Sequence, residues 1–182
     1  MLIEAIKTTL TKTKVTQLTR VAAEEDFSVK ELIDLTFNAD EKIAFRAGWI
    51  LENSYIHHFD RFLPYAIYFL DRFNAQKNLS CCRHYSKIFA LMTNKKAPIA
   101  IKNIVLAYET TELVDTVFGW LIDDKIPVAI KSHCLNVLAN LNTKHDWIKD
   151  ELLETMDFLV DKESIGFYAK VKKIRKQLAV NS

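Results

Sequence analysis

Three cysteines and five histidines are the side chains in this sequence best suited to hold a metal or to act as nucleophile and base. Cys81, Cys82 and His84 lie close together, and His133 precedes Cys134. Neighbouring residues on a helix point about 100° apart, so neither group turns several ligands to one side. Zinc sites favour C-x-x-C or H-x-x-x-H spacings, and neither occurs here. Core thiols and exposed imidazoles account for these residues more simply. No metal and no cofactor is expected. Cys134 and His84 are the remaining candidates for a nucleophilic pair, and nothing in the sequence brings them together.

Carboxylates cluster at Glu24-Glu25-Asp26, Asp123-Asp124 and Asp150-Glu151, all at expected helix boundaries. Acidic side chains near helix starts are favoured by the helix dipole and need no catalytic account. The sequence has no glycine-rich phosphate loop, no G-x-S-x-G elbow and no H-E-x-x-H. These residues point to binding rather than to catalysis.

The elements that must position them are helices. Only three glycines and three prolines occur in 182 residues, too few for the turns of an all-β or dinucleotide-binding fold. Apolar residues recur at three and four along almost the whole chain. The pattern predicts a first helical segment over about 1–23, then helices at about 28–38, 40–57, 60–73, 79–93, 97–108, 111–123, 126–141, 146–160 and 164–179. Ser28 and Asp40 are expected N-caps, with Glu31 placed for a capping box. Ile43, Ala44, Ala47, Ile50, Leu51 and Tyr55 make one broad buried face. Pro64, Pro98 and Pro127 fall near helix starts. Gly48 and Gly119 stand inside helices beside Trp49 and Trp120, where close approach of a neighbouring helix would offset the cost of glycine. Nothing marks a linker, so residues 1–182 form one expected domain.

The formal net charge is +2, from 25 basic and 23 acidic side chains. A dedicated nucleic-acid binder shows a clearer basic excess. Basic clusters at Lys7, Lys12, Lys14 and Arg20, and at Lys170, Lys172, Lys173, Arg175 and Lys176, read as solvated helix faces. The odd cysteine count, with two adjacent, fits free thiols in a reducing compartment. The N-terminal residues do not read as a signal peptide, and no stretch reaches the ~18 apolar residues of a membrane span. A cytoplasmic protein without membrane contact is expected.

One short pattern returns along the chain. Trp49-Ile50-Leu51-Glu52-Asn53 is followed by Ala90-Leu91-Met92-Thr93-Asn94, Asn136-Val137-Leu138-Ala139-Asn140 and a weaker Gln177-Leu178-Ala179-Val180-Asn181. The asparagines are 41, 46 and 41 residues apart, within the ~40–47-residue period of HEAT and armadillo units. Between them, helices ending in Leu70-Asp71, Ile122-Asp123 and Val160-Asp161 precede helices carrying Arg83, Lys131 and Lys170. The arrangement resembles the HEAT pattern, in which a turn aspartate and a basic residue early in the next helix form a ladder. Segment 95–110 breaks the spacing as an inserted helix or irregular unit. The resemblance covers most of 28–179 and implies an all-α, right-handed solenoid of about four to five stacked helix pairs. The second helix of each pair would line a concave groove.

On the helix beginning at Asp40, Lys42, Arg46, Trp49 and Asn53 share one stripe, with Arg46 able to lie over the Trp49 ring. The Trp-x-x-x-Asn step resembles armadillo repeats, where tryptophans form side-chain pockets and asparagines bond an extended peptide. The corresponding positions are Lys87, Ala90 and Asn94, and then His133, Asn136 and Asn140. The resemblance implies a candidate binding face of Arg46, Trp49, Asn53, Lys87, Asn94, His133, Asn136 and Asn140. A packing account stands beside it: Trp49 fills space between repeats and the asparagines satisfy backbone groups at helix ends. The expected function is a non-catalytic scaffold for a protein or peptide. The alternative is a nucleic-acid partner, because HEAT-like folds also occur in DNA alkylation-repair glycosylases. Arg46, Arg83, Lys87, Lys131 and Lys173 would then contact phosphates.

Overall fold

The computed structural model of the chain describes Ile6 and residues 28–180. The expected helix over 1–23, the basic cluster Lys7 to Arg20, the acidic run 24–26 and Asn181 lie outside the described residues. Among those described there is helix and no strand. The chain divides into two compact units, Met1–Ile88 and Phe89–Ser182.

In the first unit, α1 (Val29–Leu35) starts at Ser28, whose hydroxyl accepts from the Lys30 amide. α2 (Glu41–His57) starts at Asp40, whose carboxylate accepts from Lys42 and Ile43. Both expected N-caps are present, and each satisfies amides that the first turn leaves unpaired. Ile43, Ala44, Ala47, Ile50, Leu51 and Tyr55 are all buried, as the spacing predicts. The single helix expected over 60–73 is broken. Pro64 has no N–H and clashes with a preceding carbonyl inside a helix. The chain therefore runs as α3 (Phe59–Phe62), a 3-10 turn (Leu63–Tyr65) and α4 (Ala66–Phe73). α5 (Leu79–Met92) follows, with Asn78 accepting from the Ser80 and Cys81 amides.

Phe62, Phe69, Phe73 and Tyr85 fill this unit's core, with the Phe69 and Tyr85 ring centroids 4.7 Å apart. The Tyr85 hydroxyl lies 2.8 Å from Thr36 Oγ1. Thr36 donates its own proton to Ile33 O at 2.6 Å, so Tyr85 is the donor in that pair. Gln76 Nε2 also donates to Thr36 Oγ1, at 3.2 Å. Cys81, Cys82 and Cys134 are buried free thiols, as expected. Burial pushes Cys81 and Cys82 each up to about 12, which leaves them as poor nucleophiles.

The second unit begins inside α5 and contains α6 (Ile99–Ala107), α7 (Thr111–Ile122), α8 (Val128–Leu141), α9 (Ile148–Val160) and α10 (Ile165–Val180). Pro98 and Pro127 take extended N-cap positions before α6 and α8. α8 packs on α7, its own first helix, and on both α9 and α10 of the next pair. One pair thus buries its apolar face against the next, which is the logic of a repeat stack. α6 lies in segment 95–110, where the repeat spacing breaks. Lys144 Nζ donates to the Val105 carbonyl at 2.8 Å and also to the Tyr108 carbonyl. A cation there completes the C-terminal end of α6.

Of the two glycines expected to meet a neighbouring helix, Gly48 and Gly119, only Gly48 does. A Cβ on Gly48 would meet His84 Cδ2 at 3.1 Å, so close approach does explain that glycine. A Cβ on Gly119 would meet nothing within 4 Å, and the residue is exposed. No neighbouring helix approaches it there.

Candidate functional site

α2 and α5 are the second helices of the first unit, and α8 and α10 those of the second. α2 presents Arg46, Trp49 and Asn53 as half-buried side chains. Arg46 Nη1 donates to the Ile6 carbonyl at 2.8 Å. The Trp49 ring lies 6.0 Å from that of Phe45, which is 38% exposed and itself 5.5 Å from the His84 ring. Asn53 Nδ2 donates to Trp49 O at 2.9 Å, inside its own helix. An aromatic pair therefore stays open to solvent while the asparagine beside it serves the backbone.

The charged centre of this unit is one that the sequence pattern did not single out. Glu52 is 8% exposed, and both its oxygens are occupied. His84 Nδ1 lies 2.8 Å from Oε2, and Lys87 Nζ donates to Oε1 at 2.5 Å. Burial pushes the Glu52 carboxyl up, but the bonds and charges of His84 and Lys87 outweigh it and hold the group below the usual carboxylate range. His84 is thus buried, against the expectation of exposed imidazoles, because it bonds a buried carboxylate and packs under Gly48. The available signal was a glutamate among the buried positions Leu51, Ser54 and Tyr55. Its partners, 32 and 35 residues away, are set by packing alone.

In the second unit α8 presents His133, Asn136 and Asn140, all half-buried. Asn136 Oδ1 accepts from Lys170 Nζ of α10 at 2.5 Å. Asn140 Oδ1 accepts from Gln177 Nε2 at 3.0 Å, while its Nδ2 donates to Thr93 Oγ1 at 3.2 Å. The two asparagines bridge α8 to α10 as a polar strip. Asn94 is exposed and closes its own turn, accepting from the Lys96 amide at 2.8 Å. Lys87 and Asn53 are likewise engaged, so the sequence-predicted residues fall into two groups, one per unit, each already knitted by hydrogen bonds.

Charge is segregated in the second unit. Neither α8 nor α10 carries a carboxylate, whereas Glu112, Asp115, Asp150, Glu151, Glu154 and Asp157 lie on α7 and α9. Lys131, one basic position of the expected ladder, pairs with Glu163 at 2.5 Å. Its side chain is 2% exposed, so this pair is internal. Lys170, another such position, meets the neutral amide of Asn136. Both basic side chains reach across to the neighbouring pair, as a ladder between units would, but they meet a glutamate and an amide rather than a turn aspartate. Burial lowers the pKa of Lys170, and neighbouring Lys173 lowers it further. Among the described residues no three histidine, cysteine or acidic side chains converge on a metal-sized site. No helix among them is long and apolar enough to cross a membrane.

A family model described as a HEAT repeat domain matches residues 2–178, nearly the whole chain. The chain belongs to this HEAT repeat family. No curated protein and no solved structure matches it. The HEAT assignment accounts for the helix pairs and for the ~40-residue return of the asparagine step. It leaves the use of the face to be argued from the side chains, because a repeat scaffold does not fix function.

Proposed function

We propose that this HEAT repeat chain is a non-catalytic scaffold that binds a protein or peptide partner on the face made by its second helices. In this reading the chain is one continuous right-handed solenoid of about four to five helix pairs, and that face is concave. The unbroken family match from 2 to 178 supports a single array. The observation that carries the binding role is Lys170. Its ammonium is half-buried against a neutral amide, on two helices that hold no carboxylate. A charge withdrawn from water without a counter-charge is costly, and a carboxylate on a partner would supply one. The half-exposed Phe45–Trp49 pair offers the apolar contact that such interfaces use as an anchor.

A quantitative pull-down tests this reading, comparing wild type with Trp49→Ala/Asn53→Ala/Asn140→Ala and with Lys170→Met. Each variant must first match the wild type in thermal unfolding. A partner held by wild type and lost by both variants supports the face. A partner held equally by all three returns these residues to packing. The cytoplasmic location expected from the sequence belongs to the same proposal and is checked by fractionation.

A further inference from the structure

A second surface lies at the ends of α7 and α9 and uses none of the residues proposed above. A groove of ≈ 750 Å³ opens there, lined by Gly119, Ile122, Asp123, Asp124, Phe158 and Lys162, among others. Part of its wall is apolar and exposed: Ile122 is 54% exposed and Phe158 57%. Large apolar side chains exposed together beside a groove mark interaction sites more often than chance surface.

Gly119 is the first anomaly. A glycine in a helix costs about 0.5–1 kcal/mol against alanine. Gly48 has a packing reason for that cost, and Gly119 has none, since a Cβ there would meet open space. What the missing side chain does provide is depth in the groove wall.

The charges are the second anomaly. Asp123 caps the C-terminal end of α7, Asp124 follows it, and Asp161 caps α9. The sequence pattern placed such carboxylates at helix boundaries. Asp150 and Glu151 do lie in the first turn of α9. Asp123 and Asp124 sit at the opposite end of α7, where the helix dipole is negative and repels them. Both are exposed, and among the described residues neither has an ion-pair partner. The Asp123 carboxylate accepts from the backbone amide of Lys125, at 2.9 Å. Lys131 and Glu163 also reach the groove, but their charges cancel in the internal pair. Lys162 Nζ stands 3.3 Å from the Phe158 ring centroid, so this wall already receives a cation on its aromatic face.

We infer that the groove docks a segment of a partner protein that combines a lysine or arginine with a large apolar side chain. The cation lies against Asp123 and Asp124 at the end of α7. The apolar side chain enters over Gly119, between Ile122 and Phe158. The attraction is charge-complementary on one side and hydrophobic on the other, and it is independent of the face around Lys170.

Nuclear magnetic resonance of the isotope-labelled full chain tests this with two synthetic peptides, Arg-Leu-Phe-Arg and its counterpart Glu-Leu-Phe-Glu. The basic peptide is expected to shift resonances of Gly119, Ile122 and Phe158, and the acidic one to leave them in place. Gly119→Leu, whose Cβ enters open space, puts a side chain into the groove, and Asp123→Asn/Asp124→Asn removes the charge. Each should weaken the basic peptide by about tenfold or more with the fold intact. Equal affinity in these variants, shifts confined to other helices, or no binding of the basic peptide would overturn the inference. Equal shifts with ethylguanidinium alone would reduce the site to a small-cation site. Concentration-dependent shifts without peptide would give the groove to a second copy of the chain. Either outcome would replace the partner named here. A lost pull-down partner in the Lys170→Met variant bears on the other face only, so the two proposals fail separately.

Discussion

Replacing Gly119 with alanine should raise the melting temperature, and replacing Gly48 with alanine should not. Both glycines sit inside helices, so both substitutions gain about 0.5–1 kcal/mol from backbone entropy and helix propensity. At position 119 nothing opposes the gain, because the new Cβ enters open space. For a chain of this length that gain is worth about 1–4 °C. At position 48 the Cβ would stand 3.1 Å from His84 Cδ2. The imidazole cannot swing aside freely, because its Nδ1 is held 2.8 Å from Glu52 Oε2. Overpacking of this kind costs about 1–3 kcal/mol, which leaves a balance between zero and about 2.5 kcal/mol of destabilisation. Thermal unfolding followed by far-ultraviolet circular dichroism measures both. An equal rise for both variants would refute the packing of His84 under Gly48. A fall for Gly119→Ala would refute the open space argued for the groove.

Glu52 is held below the usual carboxylate range in the folded chain. Its stabilising contribution is therefore complete above the unfolded carboxylate pKa and is lost as pH falls through the lower folded value. Glu52→Gln should lower stability at neutral pH by roughly 2 kcal/mol and flatten the acid limb of a stability-against-pH curve, measured by urea unfolding; an unchanged acid limb would contradict the assignment. For the internal pair, Lys131→Met or Glu163→Gln alone should each cost a few kcal/mol, about 3–5 at most, while the double variant recovers most of the loss. Additive losses in a denaturation double-mutant cycle would show that the pair is not coupled.

Much of the fold was legible because local chemistry decides it. Asp40 starts α2 and Pro127 precedes α8 for reasons contained in a few neighbouring residues. The buried face of α2 follows from spacing alone. Pro64 was legible as punctuation but not as a break, since its position relative to the helix start depends on where the chain enters the core. The candidate face was half legible. Spacing located Trp49, Asn53, Asn136 and Asn140 on the second helices. It could not show that Asn53 bonds its own helix or that Asn136 receives Lys170. Glu52 was missed because a buried carboxylate is specified by its partners, and His84 and Lys87 come from a different helix pair. The emptiness around Gly119 is likewise a tertiary fact, and a glycine code letter reads the same at 48 and at 119.

The central claim is that the second helices form a partner-binding face. Hydrogen–deuterium exchange of the chain, alone and saturated with the partner recovered by pull-down, tests it most directly. The account predicts slowed exchange over 42–53 on α2 and over 133–140 and 170–177 on α8 and α10. Slowed exchange confined to α7 and α9, with those segments unchanged, would contradict it.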